Sequence, residues 1–318
     1  MKIQIIAHNR EINPQFAHMR WDRLPLLFEK SGHEVDHVLV KDWKRFYFRY
    51  LKFRPDVLIS AGIIGSLPVF LKKIKLIRAP VVHDWTDDYT DVMGKTYGID
   101  RIAFLEHFII KNSDFITTPS RFLQKKCEIF GKRAVYIPHG VNPDFMGHKP
   151  YRLKGKIKVV YVGSQSVYKM TDKVIESARG LDCDLYLFGK TNEEFKKIAP
   201  GNVHFMGPVH HTEIPRCLMA ADILILAADD DSTLKMFEYI KAGKCILGLK
   251  GRAEYFLTHG ENAFLAHDLR EGLKTLIENR ELRNHIAAGA KKMRIHAWEE
   301  IAEMYLDFLY KIVNNQSE

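Results

Sequence analysis

Apolar positions recur along this chain in two alternating registers. Short β-branched runs at 2–7, 34–40, 56–60, 80–83, 114–118 and 134–137 are separated by segments of helical periodicity, among them 16–30, 63–73, 97–111 and 120–130. Strands that alternate with helices run parallel and need cover on both faces, so the pattern predicts an α/β fold built on a doubly wound parallel sheet. Between 142 and 155 the periodicity stops: Pro143, Gly147, Pro150 and Gly155 interrupt it amid basic residues, and the stretch reads as an interdomain linker. The rhythm restarts at 157–162 and continues through 184–188, 203–206, 222–227, 245–249 and 263–266, which predicts a second domain of the same kind. The expected division is 1–150, 151–297 and a closing helix over 298–318. Residues 269–313 read as helical throughout, with Trp298, Ile301, Met304, Tyr305, Phe308 and Ile312 on one apolar stripe that needs a surface to pack against.

The chain has 318 residues, 46% of them hydrophobic and 27% charged, which excludes a disordered, collagenous or small disulfide-stapled protein. Its longest uncharged apolar stretch, 59–71, is well short of the roughly 20 residues a spanning helix needs. Lys2, Gln4 and His8 break up the opening apolar run, so no leader is expected. Cys127, Cys183, Cys217 and Cys245 are scattered without metal-ligand spacing, which suits a reducing compartment; a cytoplasmic protein is expected. The net charge of +9 is uneven. Residues 1–150 hold 24 Lys and Arg against 16 Asp and Glu, while 151–318 hold 24 against 23. That excess favours an anionic partner for the first half, with solubility as the plainer explanation.

Ligands of doubly wound sheets bind beyond the carboxyl ends of the strands, so chemistry is expected in the loops there, a cleft between two such domains being the default site. The stretch 229–244, DDDSTLKMFEYIKAGK, follows an apolar strand and opens a helix that Ser232 or Thr233 is placed to cap. Free amides and the positive dipole end at such a helix start suit a diphosphate, Lys235 adds a mobile positive charge, and Glu238 offers a carboxylate to a ribose diol. An ordinary capped helix with a solvated charged face has the same sequence. The loop 162–169, VGSQSVYK, has Gly163 for close backbone approach and Lys169 within reach of a phosphate.

In their order and spacing, these blocks resemble the retaining nucleotide-sugar glycosyltransferases of the GT-B fold. The similarity is carried by YIPHGVNPDF at 136–145, the Lys169 loop, FMGPV at 205–209, AADILIL at 220–226, STLKMFEYIKAGK at 232–244 and HGENAFL at 259–265. GHEV at 32–35, VVHDW at 81–85 and LEHFIIKNSDFITTPSRFLQKK at 105–126 extend it more thinly into the first half. The resemblance implies two Rossmann-like domains, an acceptor domain and then a donor domain, with the last helix packed back on the first. It further implies transfer of a sugar from a nucleoside diphosphate donor to an acceptor hydroxyl of a glycan, glycolipid or lipid-linked molecule, with retention at the anomeric carbon and no metal or other cofactor.

Carried over residue by residue, the family's two acidic positions fall on Asp230, for the donor sugar, and Glu238, for the ribose. The diphosphate would meet the amides of Thr233 and Leu234, with Lys169 and Lys235 as its cations, while base contacts fall near Gly207 and Val209. His83, at a strand end, matches a histidine that touches the transferred sugar, though a lone histidine there is equally a structural one. Three departures stand out: Ser164 replaces the usual Arg, Asp230 is shorter than the usual Glu, and the N-terminal glycine pair is absent. Arg20 and Arg23 stand where some relatives carry a basic residue. Asp84, Asp87, Asp88 and Asp91 cluster in one loop, where one of them could bind an acceptor hydroxyl or a metal, or all could be solvated.

From Lys41 to Arg54, cations interleave with Trp43, Phe46, Tyr47, Phe48, Tyr50 and Phe53. Such a helix could lie on an anionic bilayer from the inner face, as a peripheral membrane protein would, or pack its rings on the sheet while its lysines snorkel outward. No nucleic-acid partner is expected, although stacking on single strands uses the same side chains. Two other functions stay open: a catalytically silent nucleotide-sugar-binding subunit of a transferase complex, suggested by Ser164 and Asp230, and a nucleotide-sugar epimerase on the same fold. A nicotinamide dehydrogenase is disfavoured because no G-x-G-x-x-G follows the first strand.

Overall fold

The computed structural model describes residues 1–7, 19–91, 102–142, 149–167 and 169–314. The chain divides into two compact units, Met1–Gly140 with His296–Glu318, and Val141–Ile295. In the first, β1 (Lys2–Ala7), β2 (Glu34–Leu39), β3 (Val57–Ala61), β4 (Val81–Asp84), β5 (Phe115–Thr118) and β6 (Ala134–Tyr136) form one sheet. Their order is β2-β1-β3-β4-β5-β6, with every neighbouring pair parallel. Helices α1 (Arg20–Lys30), α2 (Trp43–Phe53), α3 (Leu67–Lys73), α4 (Ile102–Asn112) and α5 (Arg121–Ile129) lie between the strands in sequence. Continuous apolar runs are what a sheet covered on both faces requires: Ile3, Ile5, Ile6, Val57, Leu58, Ile59, Val81 and Val82 are all fully buried.

Polar residues on these strands are therefore informative, and Asp84 at the end of β4 is fully buried. Its carboxylate accepts from Arg20 Nε at 2.9 Å, Trp21 Nε1 at 3.0 Å and Thr117 Oγ1 at 2.7 Å. Arg20 also donates to the Pro138 carbonyl at 2.8 Å. Of the two basic residues at the start of α1, Arg20 is thus the partner of a buried carboxylate, and Arg23 faces Glu299 at 3.4 Å.

The closing helix α12 (Trp298–Asn314) belongs to this same unit, as expected of a helix that packs back on the first domain. Tyr305 shares a 2.6 Å hydrogen bond with Thr117 and sets its ring 5.7 Å from that of Trp21. Trp298 packs so closely on Gly140 that any side chain there would meet its backbone at 2.7 Å. The expected stripe is partly corrected. Trp298, Ile301, Tyr305 and Ile312 are buried with Ala302, Leu306 and Leu309, but Met304 is exposed and Phe308 only half-buried. Met304 points about 100° away from Tyr305 around the helix, which takes it off the buried face. Nor is 269–313 one helical run: α10 (Leu269–Glu278), α11 (Arg280–Lys292) and α12 are separate, and the chain crosses between units in the last gap.

In the second unit β7 (Lys158–Val162), β8 (Asp184–Phe188), β9 (Val203–Gly207), β10 (Ile223–Leu226), β11 (Cys245–Leu249) and β12 (Phe264–Ala266) pair in the order β12-β11-β10-β7-β8-β9, again all parallel. Helices α6 (Thr171–Ser177), α7 (Glu193–Ile198), α8 (Ile214–Met219) and α9 (Leu234–Ala242) complete it with α10 and α11. The units part after Gly140 and Ile295 rather than at 150 and 297. Part of the expected linker is integral to the second unit, since Tyr151 and Leu153 pack against its core, which also holds the preceding Val141.

Because the Asp84 network holds α1, β4, β5 and α12 together, Asp84→Ala leaves the Arg20 guanidinium buried without its carboxylate. A loss of about 3–5 kcal/mol in the unfolding free energy of the first unit is expected from urea titration, and a loss below about 1 kcal/mol would show the pair to be dispensable.

Candidate functional site

In the second sheet, consecutive strands step outward from β7 through β8 to β9, and the chain then returns to place β10 on the other side of β7. Loops leaving β7 and β10 consequently diverge and open a crevice at the carboxyl ends of the strands, the position where open α/β sheets bind ligands. The 162–169 and 229–234 segments are these two loops.

Three glycines line the strand ends. Gly163 (φ +153°) donates its amide to the Phe188 carbonyl at 2.9 Å, and Gly189 (φ +146°) donates to the Gly207 carbonyl at 2.9 Å. A Cβ at Gly189 would overlap the Gly163 carbonyl, and one at Gly163 would stand 3.1 Å from Lys235 Nζ. Gly189 therefore needs the absence of a side chain as well as glycine's φ range, and Gly163 needs that φ range. Gly189 went unnoticed in the sequence because its role depends on a neighbouring strand.

Helix α9 is drawn to β7 by Tyr239, whose buried hydroxyl accepts from the Val162 amide at 3.0 Å. Thr233 occupies the N-cap position, but neither it nor Ser232 caps the helix through its side chain, contrary to the expectation. Ser232 instead turns toward Asp230, whose Oδ1 accepts from the Ser232 amide at 2.9 Å and hydroxyl at 2.8 Å. Among the described residues, the Thr233, Leu234 and Lys235 amides meet no acceptor. A helix start left open in this way has the donors and the partial positive charge that suit an anion.

Lys235 is not the mobile cation that the sequence suggested. Its Nζ is buried without a hydrogen-bond partner, 4.7 Å from the centroid of the Tyr161 ring. Burial, followed by the nearby Lys169 charge, pushes the ammonium down to about 8, while Glu238 and Asp230 oppose the shift. Lys169 is half-buried, its amide donating to Ser166 Oγ at 3.2 Å, and Ser164 is exposed. Glu238, buried one turn along α9, accepts from or shares a proton with His211 Nε2 at 2.7 Å. His211 lies in the turn after β9, and its pairing with Glu238 spans 27 positions, so no local motif announces it. Gly207 (φ +78°) and Val209 are in the same β9 turn region, with Val209 packed on the core. The structure thus brings Gly163, Lys169, Asp230, Ser232, Thr233, Leu234, Lys235 and Glu238 together within one unit.

His83 belongs to the other unit. It is fully buried, with Nδ1 3.0 Å from Ser60 Oγ and Nε2 3.4 Å from the Tyr89 hydroxyl. Desolvation pushes it down to about 3, so the ring is neutral. The acidic cluster is largely engaged internally. Asp84 holds Arg20, Asp88 pairs with Lys126 at 2.7 Å, and Asp87 accepts from Thr86 Oγ1 at 2.9 Å. Among the described residues, no group of three or more His, Cys, Asp or Glu is placed to hold a metal ion. Four cysteines are free and buried.

Residues 169–307 match the glycosyl transferase-like family. The likeness to solved structures extends over the whole chain. HepE of Anabaena, in complex with UDP and glucose, aligns with a TM-score of 0.73 at 14% identity, covering 98% of this chain and 99% of that one. MnaA of S. aureus, in a co-structure with UDP, gives 0.64 at 12% identity over 100% and 98%. A UDP-GlcNAc 2-epimerase of Neisseria meningitidis, bound to UDP-GlcNAc, gives 0.61 at 13% identity over 98% and 100%. A search of curated proteins returned no match. The expected resemblance to glycosyltransferases is found over 169–307, and the two sheets are those of a GT-B fold. The family match begins at Lys169 and takes in all of α9, but neither Gly163 and Ser164 nor His83.

Keeping a lysine amine buried without a hydrogen bond is costly to this unit. With a folded pKa near 8, below the unfolded value, the penalty is fully present under pH 8 and fades as pH rises toward the unfolded pKa, since only the unfolded chain then keeps the proton. Lys235→Met is expected to stabilise the unit by roughly 2–3 kcal/mol near pH 7, with the gain shrinking toward pH ~10, as read by urea titration at both values. A gain independent of pH would contradict a buried ammonium.

Proposed function

We propose that the protein is a retaining hexosyltransferase that moves a sugar from a nucleoside diphosphate sugar to a hydroxyl of a glycan, glycolipid or lipid-linked acceptor. The observation that carries this reading is the buried, unbonded Lys235 ammonium beside Lys169 at an uncapped helix start, located where the strand order reverses. A diphosphate there supplies an acceptor to the Lys235 ammonium and to the open amides of the helix start. The bond from the anomeric carbon to the β-phosphate oxygen breaks, the acceptor oxygen bonds to that carbon on the same face, and its proton passes to the departing phosphate. Charge grows on the diphosphate as this happens, and preorganised donors of this kind are worth about 3–4 kcal/mol each in the transition state.

In this reading Lys169, Lys235 and the Thr233 and Leu234 amides hold the diphosphate without a metal, and Gly163 and Gly189 let it approach the backbone. Lys235 takes the place of the family arginine that Ser164 lacks. Asp230 orders the loop through Ser232 and faces the donor sugar, while Glu238, oriented by His211, receives the ribose diol, and the base lies near Gly207 and Val209. His83, a neutral ring in the first unit with Nδ1 3.0 Å from Ser60 Oγ, keeps the sugar-contacting role that the resemblance implies. UDP-sugars are the first donors to try, because the structural neighbours are solved with UDP, glucose or UDP-GlcNAc.

A panel of nucleotide sugars assayed with the parent, Lys169→Ala and Glu238→Ala tests it. Each variant is expected to lose about 100-fold or more in kcat/KM, nearly 3 kcal/mol. Unchanged turnover in both would overturn the donor assignment, while sugar epimerised without any acceptor would identify an epimerase, and nucleotide binding with no turnover would identify a silent subunit.

We further place the protein on the inner, anionic face of a membrane as a peripheral protein. No helix among the described residues is long and apolar enough to cross a bilayer. Helix α2 buries Phe46 but leaves Trp43, Phe48 and Leu51 exposed beside Lys44, Arg45, Lys52 and Arg54. The Arg78 amide donates to the Tyr50 hydroxyl at 2.9 Å and the Tyr47 hydroxyl to the Leu76 carbonyl at 3.4 Å, which sets the exposed Ile74 and Leu76 alongside. Apolar side chains ringed by cations suit a lipid interface. Flotation with vesicles containing anionic lipid is expected to carry the parent protein but not the Phe48→Ser, Lys52→Ser double variant, and an absence of flotation at low salt would end the claim.

A further inference from the structure

A second charged concavity exists at the opposite edge of the second sheet. The candidate donor loops follow the carboxyl ends of β7, β9 and β10, whereas this cavity, of about 670 Å³, is reached at the amino ends of β10 and β11, by Asp222 and Lys244. The face of α11 that carries Arg280, Arg283 and Lys291 forms one wall, and the last turn of α9, with Lys241, forms another. Its size falls in the range of small-molecule sites.

The lining is strongly one-sided in charge. Five cations face one carboxylate, and that carboxylate is already taken, because Asp222 Oδ2 accepts from the Lys158 amide at 2.8 Å and from Lys158 Nζ at 3.0 Å. Arg283 spends Nη1 on the Leu276 and Ile277 carbonyls at the end of α10. Lys241, Lys244, Arg280 and Lys291 make no ion pair or hydrogen bond through their side chains among the described residues. Partial burial holds the Lys244 ammonium below its ordinary value. Like charges drawn around a concave surface repel one another, and a ligand with several negative charges converts that repulsion into attraction. The convergence of the cations on a single hollow, rather than along a stripe, fits a compact ligand better than an extended polymer.

We propose that this cavity binds a small ligand carrying two or more phosphate groups, independently of the candidate donor site. Nothing in this proposal rests on the glycosyltransferase reading. The two sites are joined by α9, whose nine residues, about 13 Å, run from the donor loop to the cavity wall.

Two methionines on the cavity wall, Met219 and Met293, provide a local probe. The full chain, labelled with ¹³C at its methionine methyls and assigned with Met219→Leu and Met293→Leu, is titrated with inorganic tripolyphosphate. Saturable shifts of these two resonances are expected, with Lys241→Ala, Lys291→Ala raising the apparent Kd at least about tenfold, and with Lys169→Ala, at the other edge, leaving it unchanged. The proposal is overturned if Met219 and Met293 stay still, if sodium chloride at matched ionic strength reproduces their shifts, or if the double variant binds as tightly as the parent. A response to heparin or single-stranded RNA with none to tripolyphosphate would equally overturn it, by making the surface a polymer-binding one.

Discussion

Parallel pairing obliges every strand of a sheet to start at one edge and end at the other, and the parts of the candidate site follow from that constraint. Each chain segment leaving the carboxyl edge must turn into a crossover, so loops and helix starts accumulate there. The reversal of order beside β7 keeps the loops of β7 and β10 from closing over one another. Glycines at the ends of β7, β8 and β9 keep the backbones close, since a side chain at Gly189 would strike the Gly163 carbonyl. The Tyr239 bond to the Val162 amide then fixes the start of α9 against this edge. Anion-seeking amides and a lysine amine are thereby held in place before any ligand arrives, which is the condition for electrostatic preorganisation.

The same constraint explains what could be read from the sequence. Strands covered on both faces must be apolar runs, so the twelve among the described residues are legible in the sequence, within a residue or so of their ends. The donor loops were visible because they directly follow such runs. Features that depend on partners distant in the chain were not. His211 meets Glu238 across 27 positions, Arg20 meets Asp84 across 64, and Gly189 matters only because β7 lies beside it. The capping role given to Ser232 failed for a local reason: Asp230, two residues earlier, competes for the hydroxyl and wins. Lys235 looked like a mobile surface cation because the pattern of α9 does not reveal that Tyr161 and Gly163 close around its amine.

How buried charge is partnered separates scaffold from site in this protein. In the first unit, Asp84 and Arg20 satisfy one another and are further bonded by Trp21, Thr117 and the Pro138 carbonyl. Glu106 accepts from the Tyr89 amide, the Thr90 hydroxyl and Lys126. Such groups are saturated and fix the packing of α1, β4, β5 and α12, with no valence left for a ligand. Lys235 differs, because its amine is desolvated and no hydrogen bond repays that loss. A fold optimised only for stability would replace it with an apolar residue of similar length. That the amine is there, packed between the Tyr161 ring and Gly163 with the Lys169 charge lowering its pKa further, leaves an electrostatic imbalance at the start of α9. Buried charge that is bonded throughout holds the first unit together, whereas buried charge without a hydrogen bond marks the start of α9 in the second.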